Sequence, residues 1–450
     1  MKKILILNVI VLSILFSQTW ELKYNYPLHR TYGTDITITE HNKYACVGYI
    51  KDTLGWENYL LLQVNDSGEV EWERTYDGSD VYSLNECYSI YLTENNGFII
   101  AATNGFPVLI RTDSLGNIIW FREYDVTSGP MASGVYDVIQ TSDGNFVAVG
   151  TKIMDGMFIV KADTNGNPLW TGYYGFTPSD DALAVIEDYD GSYLVVGRTE
   201  GTFIETYLGK ISADGEILFQ RIYGEYFSMG TSIIRVKVGE NNEYLIAGTM
   251  YETDDCGAPG DIFLTKLNNE YNIIWERTYS YTTESDDFGM SVQQTNDGGF
   301  IIVGSTHPDT MSSSKLYLIK TDEFGNLQWH RVYGDSAISR GVSVKRTSDN
   351  GYIAIGRIRE TPEDTTRLYL VKTDSLGEID WVREIPNRQD DISLSVSPNP
   401  FNSACEITVP ENAKIEIYDL RGNVVATPCS ADRSASLVPL DKGDLSLIHI

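Results

Sequence analysis

Cysteine, histidine and basic residues are all scarce in this chain of 450 residues, which has five Cys, five His, and 34 Lys plus Arg against 63 Asp plus Glu. Cys46, Cys87, Cys256, Cys405 and Cys429 show no Cys-x-x-Cys and no paired spacing, so neither a disulfide framework nor a zinc site is indicated. Cys46 lies in an apolar run and reads as a small core residue, while Cys405 and Cys429 are the only two in the last stretch. His29, His41, His307 and His330 stand apart from any nucleophile motif and Gly-x-Ser-x-Gly is absent, so no catalytic triad is indicated. A net charge of −29 repels nucleic acid and anionic lipid and leaves cations, neutral sugars or basic proteins as partners. No stretch sustains helical periodicity, and beyond Phe16 no apolar run is long enough to span a bilayer.

What the chain does have begins with MKKILILNVIVLSILFSQ. Lys2 and Lys3 precede an apolar run from Ile4 to Phe16 and small polar residues near Ser17, the order of a secretory signal peptide over 1–18. The expected consequence is export.

From Trp20 onward one stretch returns about every fifty residues, best seen as LYLIKTDEFGNLQWHRVYG at Leu316 to Gly334. A short apolar run with Tyr and Ile predicts a strand packed on both faces. Asp322 and Gly325 then predict a turn, and Trp329, Arg331 and Tyr333 at alternate positions predict a second strand. The turn recurs as Asp66-Ser67-Gly68, Asp113 to Gly116, Asp163 to Gly166, Asp214-Gly215 and Asp374 to Gly377, while Asn268 to Asn272 has lost its glycine. The aromatic heading the second strand is Trp20, Trp72, Trp120, Trp170, Phe219, Trp275, Trp329 and Trp381, at separations of 52, 48, 50, 49, 56, 54 and 52. Tyrosine follows four residues later in every copy but the last, where Ile385 stands.

A second hairpin recurs between these, best at Gly289 to Ser305, where Asn296-Asp297-Gly298-Gly299 joins two strand-like runs. Each period thus contains four short strands. A lone four-stranded sheet cannot bury both faces, whereas seven standing radially can, so the expected fold is all-β, a seven-bladed β-propeller over 19–385. The indoles fill the wedges between blades. Eight Trp-type strands against seven sets of the others predict that Trp20 to Tyr24 forms the outer strand of the last blade, beside the Trp381 copy.

The repeat stops after Arg383, residues 386–392 read as a linker, and a different composition follows over 393–450. Ser397-Pro398-Asn399-Pro400-Phe401-Asn402 and then Ile415 to Gly422, with Tyr418, Asp419 and Gly422, resemble the C-terminal sorting domain of proteins exported by the bacterial type IX secretion system. The resemblance implies a small β-sandwich read by the outer-membrane translocon as partner, and a cell-surface or secreted destination. Leu445 to Ile450 departs from the family's ending and spells the conceptual translation of a transposon-type sequencing adapter, so the expectation is an incomplete domain with a non-native end.

The Asp-x-x-Gly-x-x-x-Trp element is similar to the tryptophan-docking repeat of pyrroloquinoline-quinone propellers and, more distantly, to the Asp-box of sialidases. Both resemblances imply blade packing rather than an active site, since the adjacent cysteines, haem motif and arginine triad of those enzymes have no counterparts here. No cofactor is expected. Asp180-Asp181 and Asp286-Asp287 are the candidates for Ca²⁺, set against solubilising loop charge. The expected role is binding or scaffolding toward an extracellular glycan or protein. The alternative is a polysaccharide- or peptide-degrading hydrolase or lyase using acidic loop residues.

Overall fold

The computed structural model describes residues 19–384 except 27–28, 78–84, 125–132, 202, 225–226, 239–240, 252–258, 309–313, 335–336, 362–363 and 380, with five strands beyond residue 404. Residues 381–384 and the strands beyond 404 are described by backbone alone. The expected signal peptide, the linker 386–392, Pro398, Asn399, Pro400, Phe401, Asn402 and Gly422 lie outside the described residues.

Seven sheets follow one another along the chain, all antiparallel but for one parallel pair in the last. In the first, Arg30–Ile38, Tyr44–Lys51, Glu57–Val64 and Val70–Tyr76 pair in sequence order, and five further blades repeat this meander up to Leu327–Tyr333. Second strands such as Phe300–His307 are buried at every position because both faces meet a neighbouring blade. Seven hydrophobic clusters fill the interfaces, one for each pair of neighbouring blades; Ile99, Ala101, Phe146 and Phe158, for example, join blades two and three.

Both hairpins of a blade use the same five-residue turn, except the first of blade five, where Val238 pairs with Asn241. In the copy headed by Asp322, its carbonyl accepts from Gly325 N–H and its N–H donates to Asn326 O, while Oδ1 accepts from the N–H groups of Phe324 and Asn326. Gly325 takes φ of 79°. Two copies are headed differently from the sequence reading. Asn65 and Ser212 do the work of Asp322, and Asp66 instead accepts from Tyr44 Oη at 2.7 Å.

Each outer-strand aromatic docks on the turn of the next blade. Trp20, Trp120 and Trp170 donate Nε1–H to the carbonyls of Asp66, Thr164 and Ala213 at 2.9–3.0 Å. In five interfaces the tyrosine four residues on donates to the turn glycine's carbonyl, as Tyr76 to Gly116 at 2.6 Å and Tyr333 to Gly377 at 2.8 Å, while Tyr24 donates to Glu73. A Cβ at Gly68, Gly116, Gly166, Gly215, Gly325 or Gly377 would lie 2.9–3.0 Å from the docked indole, so glycine is required there for space as well as for φ. The exceptional copy breaks both rules together. Phe219 replaces Trp, and Tyr271 replaces Gly at φ of 61° with its ring 4.6 Å from Phe219.

The ring closes as the strand count requires. Trp20–Tyr24 pairs antiparallel with Arg367–Thr373 and parallel with Trp381–Glu384, so the last sheet has five strands. Trp20 and Leu22 are fully buried there.

The chain divides after Ile385. In the second unit, Glu416–Asp419, which holds Tyr418 and Asp419, pairs with Val424–Ala426 and with Leu445–His449, while Cys405–Thr408 pairs with Ser434–Leu437. Among the described residues no helix is long and apolar enough to cross a membrane.

Candidate binding face of the ring

Alternation of strand direction puts the first–second and third–fourth turns of every blade on one face, here the lower, and the remaining connections on the upper. The lower face is uniform and occupied. It holds all the docking turns and, inside them, buried lysines paired with solvent-facing carboxylates, as in Lys161–Asp143 at 2.8 Å, Lys320–Asp297 at 2.9 Å and Lys372–Asp349 at 2.7 Å. In Asp143 burial pushes the carboxyl up, but the hydrogen bond from Lys161 and those from Thr141 and Asn145 outweigh it and hold it low. The upper face is variable: the connection from second to third strand runs from three residues in blade two to eight in blade five.

A central channel of about 590 Å³ is lined by the first strands of all seven blades. Each of these strands carries a bulge at the same step, and the residues just after it are Asp35, Ser89, Asp137, Ala184, Ser232, Ser291 and Ser343. Three of them tie one blade to the next. Asp35 Oδ2 accepts from Ile90 N–H at 2.9 Å, Asp137 Oδ2 from Val185 N–H at 2.9 Å, and Ser232 Oγ from Val292 N–H at 3.4 Å. Ser89 Oγ sits 3.2 Å from Asp35 Oδ2 and 2.9 Å from Asp137 Oδ1. Its single proton serves one carboxylate at a time. Burial pushes Asp137 up to about 6 against the hydrogen bonds from Val185 and Ser89. Lys345 Nζ lies 3.6 Å from Asp35 Oδ1. This ring was not singled out from sequence, although aligning the seven first strands shows a small or acidic residue at one shared step.

Around the upper mouth stands an aromatic and charged rim. Tyr32 and Tyr49 stack at 4.6 Å with the Arg357 guanidinium 5.5 Å from the Tyr32 ring. Tyr88 and Tyr136 meet edge to face at 5.0 Å, and Tyr88 Oη donates to Glu86 at 2.5 Å. Phe288 packs edge to face on His307 at 5.4 Å. The Asp181 carboxylate accepts from Arg198 and from Thr151 Oγ1.

The four Ca²⁺ candidates fall in two different blades, four and six. Asp180 and Asp287 occupy the same repeat position, two residues before the pair that flanks the bulge. That position is Thr31, Asn85, Ser133, Ser228 and Ser339 in the other blades, and all seven residues are buried. Its side chain secures the loop that leads into the strand. Asp180 accepts from the N–H groups of Phe176, Thr177 and Glu200, Asp287 from Tyr281 N–H at 2.7 Å, and Thr31 from Tyr26 N–H at 3.1 Å. Asp286 accepts from Gly260 N–H at 2.9 Å. Among the described residues no three His, Cys, Asp or Glu side chains come together as a metal site.

The fold defines a seven-bladed β-propeller. Residues 395–442 match the family described as the secretion system C-terminal sorting domain, so the chain is a propeller carrying a type IX sorting segment, which implies export by that route. No curated protein matches it. Among solved structures it is similar to a protein of unknown function from Bacteroides caccae, with 15% identity, TM-score 0.43, and coverage of 68% of this chain and 94% of that one. It is also similar to YCF48 bound to D1 peptide (11%, TM-score 0.48, 80% and 98%) and to Sqt1 from Chaetomium thermophilum (11%, TM-score 0.45, 78% and 86%).

Proposed function

We propose that this is an extracellular binding propeller, carried across the inner membrane by a signal peptide at 1–18 and displayed or released through its sorting segment, which takes its ligand on the upper face. The observation that supports this reading is the difference between the faces. On the lower face the turn after every third strand is committed to blade docking, whereas the upper connections vary in length and surround an aromatic, charged mouth. Glycans and proteins both suit such a mouth. A glycan and protein array probed with the full chain tests the reading, with Tyr136→Ala expected to weaken the captured ligand and Ile274→Ser, on the outer perimeter, expected to leave it bound. Binding insensitive to every upper-face substitution overturns it.

The second reading, a hydrolase or lyase, has one observation in its favour, the Asp137 carboxyl at about 6 beside Asp35. Both Asp137 oxygens are already engaged by the N–H groups of Val138 and Val185 and by Ser89, which suits an interblade tie better than a general acid. Rim acids are engaged too: Glu57 accepts from Lys51 at 2.6 Å and Asp181 from Arg198.

A further inference from the structure

Arg340 and Arg357 are directly opposite one another in the antiparallel register of the first and second strands of blade seven, on the upper rim. Like charges facing each other across a sheet are destabilising. The chain has 63 acids to 34 cations, yet among the described residues neither guanidinium has a carboxylate partner. Arg340 Nε reaches only Ser314 Oγ at 3.4 Å, and Arg357 lies against the Tyr32 ring. Both arginines are half-buried. Burial, and then the neighbouring Arg357, push the Arg340 guanidinium down from its ordinary value.

The surroundings hold the two groups in place. Tyr32 and Tyr49, stacked within 14° of parallel, form the facing wall on blade one. Below them the blades touch through backbone, since a Cβ at Gly33 would meet Gly356 O at 2.7 Å. The Arg357 guanidinium therefore sits over a closed floor at the junction of blades seven and one, braced by an aromatic ring, while Arg340 beside it reaches toward Ser314 of blade six. Two guanidiniums on register partners match a planar or tetrahedral oxyanion, to which each can donate two hydrogen bonds.

We propose that Arg340 and Arg357 form an anion clamp for the carboxylate or sulfate group of an acidic saccharide, a local cationic site on a chain whose net charge of −29 otherwise disfavours anionic partners. This rests on the upper face being the binding face. A saccharide fits better than an acidic peptide because the clamp is flanked by Glu86, which lies within electrostatic reach of Tyr49. That carboxylate repels a ligand with contiguous negative charge. One of its oxygens accepts from Tyr88 Oη and the other is open to a sugar hydroxyl, and the Tyr88–Tyr136 pair offers apolar surface to a pyranose ring.

The test is calorimetric titration of the full chain with three probe sets: oligogalacturonates and sulfated oligosaccharides, their neutral counterparts, and a poly-glutamate peptide, with inorganic sulfate alone as a control. Acidic oligosaccharides should bind at least tenfold more tightly than neutral ones and weaken as salt rises. Arg340→Gln and Arg357→Gln should each lose at least tenfold in that affinity while melting no lower than the parent, because a repulsive pair is relieved. Arg357→Lys should retain part of it. Equal affinity for acidic and neutral sugars removes the clamp and leaves the upper-face reading standing. The absence of binding to any saccharide removes the clamp and leaves a protein as the ligand of the upper face. Binding of poly-glutamate, inorganic sulfate bound as tightly as the acidic oligosaccharides, or arginine variants that melt lower and bind unchanged, also overturns the proposal.

Discussion

The paired exception at Phe219 and Tyr271 makes a quantitative test of the docking geometry. Six interfaces place an indole over a turn glycine, and the seventh places a phenylalanine against a tyrosine in the left-handed region. Tyr271→Gly relieves about 1–2 kcal/mol of backbone strain. It also removes a buried ring stacked on Tyr244 at 5.2 Å, whose hydroxyl donates to Asp188 at 2.8 Å. Truncation of that size costs about 3–5 kcal/mol, so the net loss is about 1–4 kcal/mol. Phe219→Trp alone overpacks the site and costs about 1–3 kcal/mol. The double variant rebuilds the dock seen elsewhere, with an indole over glycine and its N–H aimed at the carbonyl of Asn269. It should lie within about 1 kcal/mol of the parent, giving a coupling energy of at least about 1–2 kcal/mol in a double-mutant cycle. Urea unfolding followed by far-ultraviolet circular dichroism measures all four proteins without interference from the added indole. Additivity of the two single losses to within about 0.5 kcal/mol would refute the idea that residue size is traded across this interface.

Other outcomes follow from the same geometry. Trp20→Ala should destabilise by about 3–5 kcal/mol and exceed Trp170→Ala, since Trp20 is fully buried and Trp170 only half-buried; equal losses by denaturant titration would count against the closing role of the first strand. In Asp190 burial alone would raise the carboxyl, but Lys210 and Ser192 outweigh it and hold it at about 2, so its contribution is present above about pH 4 and lost as pH falls through 2. Asp137 has the opposite sign. Raised to about 6, it contributes most below about pH 4 and loses at most about 3 kcal/mol as pH rises through 6, and Asp137→Asn should flatten that limb of a stability-versus-pH curve while leaving the acid limb. Added Ca²⁺ should leave the melting temperature of the full chain unchanged, because Asp180 and Asp287 are engaged by backbone N–H groups; an upward shift would reinstate the acids as a metal site.

The repeat unit was legible because every copy must solve the same problem, an indole over a turn and a tyrosine behind it. The surplus Trp20 strand was legible for the same reason: strand counting needs no coordinates. What escaped are features in which different residue types do one job. Asn65 and Ser212 accept the same N–H groups as Asp322, and Thr31, Asn85 and Asp180 share one buried position, so a search by residue identity separates what geometry unites. Asp180 and Asp287 looked like loop charge or calcium ligands for that reason. Phe219 and Tyr271 were both visible as irregularities, but only the 4.6 Å contact shows that each explains the other. The rim was hidden more deeply, since Arg340 faces Arg357 only once the register of blade seven is known.

That register also bears on which end of the chain holds the ring closed. The fourth strand of blade seven is Trp20–Tyr24, paired over five positions with Arg367–Thr373, while Trp381–Glu384 lies outside it as a fifth, parallel strand. All seven docking contacts are complete without that fifth strand, because Trp20 docks on the first blade and Trp329 on the last. The chain leading to the sorting segment is therefore joined to the rim of a ring already closed by the other end. Removing 381–450 should leave the thermal transition within a few degrees of the parent, whereas removing 19–28 should lower it sharply and expose the edge of Arg367–Thr373 to pairing with other chains. Two truncations that melt alike would mean that closure is shared between the ends, and that release of the segment costs the ring part of its stability.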